Sequence, residues 1–146
     1  MNDSGAVPSV VLDTNVLLDW LVFRDAGVAH LARSVERGAI RWIITAPMAA
    51  ELRSALTRPE LVRWQPDIAG VEAALERWAV LLSAPRLDPA VHCPRCSDRS
   101  DQMFIDLAVG AAARWLVTRD RALLRLARTA RPLAVAIVAP QRWPAP

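Results

Sequence analysis

A short apolar run of β-type residues, Ser9-Val10-Val11-Leu12, ends abruptly in Asp13-Thr14-Asn15, and apolar residues then continue from Val16 to Val22 with helical spacing. Such a junction reads as a buried strand that hands a carboxylate to a strand-to-helix turn. In open α/β sheets ligands collect just beyond the carboxyl ends of the strands, so Asp13 stands where chemistry concentrates. Asp, Thr and Asn are also good N-cap residues, and Asp13 could equally satisfy free N–H groups of the next helix, a role worth about 1 kcal/mol. Similar acidic junctions recur downstream, which favours the chemical role.

The remaining chain alternates strand-like and helix-like stretches. Val28, Leu31, Ala32 and Val35 are helically spaced between Asp25 and Arg37, and Gly38 stops that pattern. Arg41-Trp42-Ile43-Ile44-Thr45 is a β-branched run and a second strand. Pro47 suits a first helical turn, and a helix over Met48 to Leu56, with Glu51 near its start, ends before Arg58-Pro59. Ile68, Val71, Ala74, Leu75, Trp78 and Leu82 predict a packing helix between Pro66 and Leu82. Ala84 to Arg99 reads as a connection with at most a brief strand around Arg86-Leu87. Ser100 then caps a helix from Asp101 to about Ala113, and Trp115-Leu116-Val117-Thr118 forms the next strand. Arg119-Asp120 leads into a helix through about Arg128, Ala134 to Val138 is a last strand, and the Pro-rich end after Gln141 should fray. Strands alternating with helices predict an α/β layer with a mainly parallel sheet.

At 146 residues, with 53% hydrophobic and 23% charged residues, the chain is long enough for one cored domain, expected to span 1–146 with its core over about 9–140. That composition excludes a largely disordered protein. All 18 basic residues are Arg, at a formal net charge of +3. Arg binds phosphate in a bidentate way that Lys does not, but codon bias would give the same ratio, so only the placement of Arg is informative. With neither a basic leader nor a membrane-spanning apolar run in view, a cytoplasmic location is expected. Cys93 and Cys96 are then expected as reduced thiols.

Set side by side, Asp13 and Asp120 follow strands, Glu51 lies just inside the helix after the second strand, and Asp101 stands at a helix start. Each could be a cap or a first-turn acid that suits the helix dipole. Together, however, they would crowd negative charge on one loop face, where neighbouring carboxylates disfavour one another's ionised form. A divalent cation resolves that conflict, and all-oxygen ligation suits Mg²⁺ or Mn²⁺. Such ions assist phosphodiester hydrolysis by activating water and stabilising the leaving oxygen.

Val10-Val11-Leu12-Asp13-Thr14-Asn15, Ala49-Ala50-Glu51-Leu52, Asp101-Gln102-Met103-Phe104-Ile105-Asp106-Leu107-Ala108 and Leu116-Val117-Thr118-Arg119-Asp120, in this order, resemble a PIN domain, in particular the VapC-like toxins of prokaryotic toxin–antitoxin pairs. The likeness runs from about Val10 to Pro140. It implies a three-layer α/β/α fold with a central, mainly parallel sheet and Mg²⁺- or Mn²⁺-dependent endoribonuclease activity. A cognate antitoxin that blocks the site, and frequent homodimerisation, are implied as well. Asp13 and Asp101 match the firmest metal ligands, Asp120 a further ligand, direct or through water, and Glu51 a residue that holds a second metal or orients the attacking water. Asn15 and Thr118 match supporting polar positions.

Other features lie outside that pattern. Asp98 and Asp106 are extra acids near Asp101, of which Asp106 is expected to be peripheral. Cys93-Pro94-Arg95-Cys96 beside His92 is half a zinc site without clear further ligands, and two inert thiols are the expectation. Arg121, Arg125 and Arg128 recur at helical spacing and could hold RNA phosphates, or form a solvated face or a dock for acidic antitoxin residues. The surface around Arg24-Asp25 and the stretch from Arg58 to Pro66 are expected to bear on substrate choice, although spacing does not place them. The alternatives are an RNA-processing PIN nuclease that is no toxin, a PIN-like binding module without activity, or a phosphatase using Asp13 as nucleophile. The last fares poorly because Asn15 stands where a second acid is expected.

Overall fold

The computed structural model describes residues 6–144. Its centre is β1 (Ser9–Leu12), whose four residues are all buried. Burial of both faces is what a Val-Val-Leu run demands, and only a parallel sheet covered on both sides supplies it. Around β1 lie β2 (Arg41–Thr45), β3 (Ala79–Leu82), β4 (Trp115–Val117) and β5 (Ala136–Val138). They form one five-stranded sheet in the order β3-β2-β1-β4-β5 with every neighbouring pair parallel.

The helices α1 (Thr14–Leu21), α2 (Ala29–Glu36), α3 (Ala46–Ala55), α4 (Pro59–Val62), α5 (Ile68–Trp78), α6 (Gln102–Gly110), α7 (Arg121–Leu124) and α8 (Ala127–Ala130) flank the sheet and complete a three-layer α/β/α fold. From β1 the chain passes to β2 on one side, and β4 pairs on the other. The carboxyl ends of β1 and β4 therefore bound the switch point at which α/β sheets open a crevice.

The packing pattern of α5 extends four residues too far in the sequence. The helix ends at Trp78, and Ala79–Leu82 instead pair in parallel with Trp42 to Thr45 as the edge strand β3. Backbone pairing with β2 prevails over helical periodicity in a tetrad, Ala-Val-Leu-Leu, whose composition suits either state. No strand forms around Arg86-Leu87. The helix expected from Asp101 to Ala113 is shorter, Gln102–Gly110, and is entered through a 3₁₀ turn, Arg99–Asp101. Asp98, not Ser100, caps that turn, accepting from the Ser100 amide at 3.0 Å and the Ser100 hydroxyl at 2.7 Å.

The helix expected after Asp120 is broken at Arg125-Leu126 into α7 and α8. There the Leu126 amide donates to the Leu123 carbonyl at 3.0 Å, a tighter i to i−3 bond that interrupts the α-helical ladder. The tail also departs from expectation. Trp143 is buried, with its ring 5.5 Å from Trp115 and 5.7 Å from His30. Hydrophobic burial of one large indole holds this segment down, whatever the flanking prolines favour locally. Ala145 and Pro146 lie outside the described residues. Among the described residues no helix is long and apolar enough to cross a membrane.

Candidate active site

Asp13 is both a helix cap and a buried functional group. Its Oδ1 accepts from the Val16 amide at 2.9 Å, closing the first turn of α1. Its Oδ2 accepts from the Thr118 hydroxyl across the β1–β4 seam. The side chain is almost wholly enclosed, and burial pushes its pKa up to about 6. The hydrogen bonds from Thr118 and Val16 oppose that rise, while the charges of Asp120 and Asp19 add to it.

The strand end of β4 places the next two groups. Thr118 is fully buried, and its oxygen also accepts the Asp120 amide at 2.9 Å. Asp120 turns Oδ1 to the Ala122 amide at 2.7 Å, capping α7. Asp101 makes no capping bond to α6. Its carboxyl titrates at about 7, raised first by burial, then by a hydrogen bond with Asp120 and by the charges of Asp120, Asp98 and Asp13. Two carboxyls that resist ionisation side by side mark an electrostatically frustrated site.

Asp13, Asp101 and Asp120 line a cleft of about 210 Å³ together with Asn15, Glu51, Arg58, Asp98 and Ser100, while Thr118 lies beneath them and does not line it. Glu51 is not a first-turn acid: α3 starts at Ala46, so Glu51 lies one turn further in, on the rim of the helix's buried face. No motif assigns Arg58 a role of its own, yet its guanidinium lies 3.5 Å from Glu51 and, among the described residues, is the only basic group lining the cleft. Residue order alone does not single it out, because it enters the cleft only through the turn between α3 and α4.

Arg121, Arg125 and Arg128 are all exposed, but the break in the helix means they share no continuous stripe, and none lines the cleft. Arg119 has a different task. It donates to Asp19 at 2.7 Å and to Asp25 at 3.3 Å, tying the β4–α7 turn to α1 and to the turn that precedes α2. Asp106 lies outside the cleft lining, accepting from Gln102 at 3.0 Å and from the Cys93 thiol at 3.5 Å. Cys93 and Cys96 are not disulfide-bonded, and burial together with Asp106 pushes the Cys93 thiol up to about 11.

The donor set of the cleft is carboxylate, amide and hydroxyl oxygen. Among the described residues no group of three or more His, Cys, Asp or Glu side chains is gathered closely enough to hold a metal ion by itself. Such a site fits a hard divalent cation, which takes one or two carboxylates and keeps much of its water. The raised pKa values of Asp13 and Asp101 fit it too, because a cation offsets both the burial that chiefly raises them and the neighbouring carboxylate charge that adds to the rise.

A parallel α/β/α sandwich with an acidic cleft at the switch point is the class of protein that fold and site define. The PIN domain family matches residues 9–122, and the chain belongs to that family. Among solved structures the chain resembles VapBC2 from Rickettsia felis bound to a DNA fragment from their promoter. The TM-score is 0.55 at 12% identity, over 88% of this chain and 96% of the other, a likeness of fold. No curated protein matches the sequence significantly.

Proposed function

We propose that this single domain is a Mg²⁺- or Mn²⁺-dependent endoribonuclease and the toxin of a type II toxin–antitoxin pair, acting in the cytoplasm. The observation that carries the proposal is the meeting of Asp13, Glu51, Asp101 and Asp120 on one cleft at the carboxyl ends of β1 and β4. Membership of the PIN domain family supports nuclease chemistry. The likeness to VapBC2 supports an antitoxin as partner and a toxin role, and a homodimer belongs to the same reading.

Asp13 and Asp101 would hold the cation, Asp120 would join them directly or through water, and Glu51 would orient the attacking water or hold a second ion. When bound, the cation supplies activation of water and charge stabilisation of a phosphodiester. The chain's own residues supply preorganisation. Thr118 fixes the Asp13 carboxyl and the Asp120 backbone at once, and the Val16 amide holds the other Asp13 oxygen. Asn15, two residues after Asp13, lines the cleft where an aspartyl-phosphate mechanism would call for a second acid, which disfavours that alternative.

The test is incubation of total cellular RNA with purified protein in Mg²⁺, Mn²⁺ or EDTA beside Asp13→Asn, together with induced expression of both forms in cells. Cation-dependent cleavage and growth arrest, both absent in Asp13→Asn, are the expected results. Cleavage without growth arrest would leave an RNA-processing nuclease. Identical behaviour of wild type and Asp13→Asn in every condition would exclude the nuclease and leave a binding module.

A further inference from the structure

Charge is divided unevenly along this chain. After Asp120 the sequence holds five Arg and no Asp or Glu, whereas the first 120 residues hold 13 Arg and 15 acids. All five of these Arg are exposed, none is ion-paired among the described residues, and none lines the acidic cleft. The same part of the chain carries β5, the strand at one open edge of the sheet. Along that edge runs a groove of about 440 Å³, about twice the volume of the cleft.

The groove exposes main chain. Val135 to Val138 line it in unbroken succession, although successive side chains of a strand point to opposite faces. The side chains of Val135 and Ile137 are buried, so these residues meet the groove through the edge of the strand itself. The hydrogen-bond ladder agrees. The Ala136 amide donates to the Arg114 carbonyl at 3.0 Å, and the Val138 carbonyl accepts from the Thr118 amide at 3.0 Å, so both residues turn their main chain to β4. Alternate residues of a parallel strand face the same neighbour, which leaves the Ile137 N–H and C=O turned outward.

Two guanidiniums stand over this edge. Arg114, just before β4, and Arg131, in the turn before β5, both line the groove, and no acid does. Arg114 lies 4.9 Å over the Trp115 ring, which holds it in place. An open strand edge is a template for another strand, and the charge of its rim decides which strand it accepts. A second copy paired edge to edge would set Arg114 and Arg131 against their own counterparts, which repulsion opposes. RNA phosphates would suit the Arg residues, but Trp115 is buried and offers a base no face to stack on, and the Ile137 main chain gives RNA no strand partner.

We propose that the β5 edge is a docking site for an acidic, extended protein segment, which adds a strand to the sheet through the Ile137 main chain while its carboxylates pair with Arg114 and Arg131. Main-chain pairing supplies affinity in this mode, and alternate side chains supply selectivity. Docking here goes beyond the nuclease reading and does not depend on it. No residue lines both groove and cleft, and the Arg rim precedes β4 and β5 whereas the acids of the cleft lie beyond strand carboxyl ends, so a segment on the edge leaves the cleft open.

The test is fluorescence anisotropy of the full chain with three short labelled peptides: one alternating glutamate and valine, one with lysine in place of glutamate, and one with proline in place of valine. The acidic peptide should bind, more weakly as salt rises, and the lysine peptide should not. The proline peptide keeps the charge but cannot pair as a strand, and should bind about tenfold more weakly than the acidic one. Arg131→Glu should weaken the acidic peptide about tenfold and Arg114→Gln about threefold, with the thermal midpoint unchanged because both residues are exposed. Hydrogen exchange at the Ile137 amide should slow when the acidic peptide is bound.

An acidic peptide that binds no better than its lysine counterpart, or that binds Arg131→Glu as well as wild type, overturns the site. Equal binding of the proline peptide, or unchanged exchange at Ile137, overturns strand addition. An unstructured RNA oligomer that displaces the acidic peptide and is itself weakened by Arg131→Glu assigns the edge to nucleic acid and overturns the proposal as well. Each outcome leaves the nuclease reading untouched, because RNA cleavage reads the cleft.

Discussion

The Thr118 hydroxyl donates to the Asp13 carboxylate across the seam between β4 and β1, and the same oxygen accepts the Asp120 amide. One buried hydroxyl thus fixes two of the acids of the cleft relative to each other. The strand residues just before Asp13 and Thr118, Val10 to Leu12 and Trp115 to Val117, are apolar, so the polar contact is confined to the strand ends.

Replacing Thr118 with Val keeps the shape and removes both bonds. The Asp120 amide and the buried Asp13 oxygen lose their partner, which should cost about 1–3 kcal/mol in urea denaturation. Because the Thr118 bond lowers the Asp13 pKa, its loss should raise that pKa beyond about 6. Titration of Asp13 by NMR checks this, and Thr118→Ser should stay close to wild type.

Stability of the cation-free protein should depend on pH with an unusual sign. Asp13 at about 6 and Asp101 at about 7 stand above the ordinary carboxyl value, so the folded state holds more protons than the unfolded state between about pH 4 and 7. The stability tied to these protons is complete below about pH 4 and is lost as pH rises through 6 and 7. The thermal midpoint in EDTA should therefore fall from pH 5 to pH 8, and Asp101→Asn should flatten the fall. Added Mg²⁺ should raise the midpoint at pH 8 more than at pH 5, because cation and protons compete for the same oxygens.

Gln102 clamps the loop that delivers Asp101. Its Nε2 donates to the Pro94 carbonyl at 2.9 Å and to Asp106 at 3.0 Å, while its Oε1 accepts the Cys96 amide at 2.7 Å. Gln102→Leu should release the loop at a cost of about 1–3 kcal/mol, since it strands partly buried partners. Hydrogen exchange at the Cys96 amide should accelerate, and RNA cleavage should fall although Gln102 does not itself line the cleft.

Two glycines should respond to Ala for different reasons. At Gly110 a Cβ would sit 2.3 Å from Pro85 Cβ and 2.7 Å from its Cγ, so Gly110→Ala must push the connection after β3 off α6, at about 1–3 kcal/mol. At Gly38 a Cβ meets nothing within 4 Å, but φ is +78°. Gly38→Ala should therefore cost only about 1 kcal/mol, through backbone strain alone. Chemical denaturation of the two variants separates the mechanisms.

Much of the framework is legible in local residue order. The runs that became β1, β2, β4 and β5 announce themselves because a buried parallel strand needs a short, nearly unbroken apolar segment. Asp13 and Asp120 are legible for a related reason, because a polar residue that ends such a segment must lie at the sheet's edge. β3 is not legible, because Ala79–Leu82 continue the helical pattern of α5 and only the open edge of β2 recruits them. Nor is the hold on the tail, which depends on Trp143 reaching Trp115 and His30.

What the sequence determined by itself was the alternation of strands and helices apart from β3, the mainly parallel sheet that alternation implies, and Asp13 and Asp120 at the ends of their strands, all carried by patterns a few residues long. Only the tertiary structure decided that Arg58, and not the stripe of Arg121, Arg125 and Arg128, stands at the cleft, and that Phe23 braces Trp64. It also decided that Thr118 couples Asp13 to Asp120. These are contacts between segments distant in the chain, and packing of the whole core fixes such distances, which residue spacing does not encode.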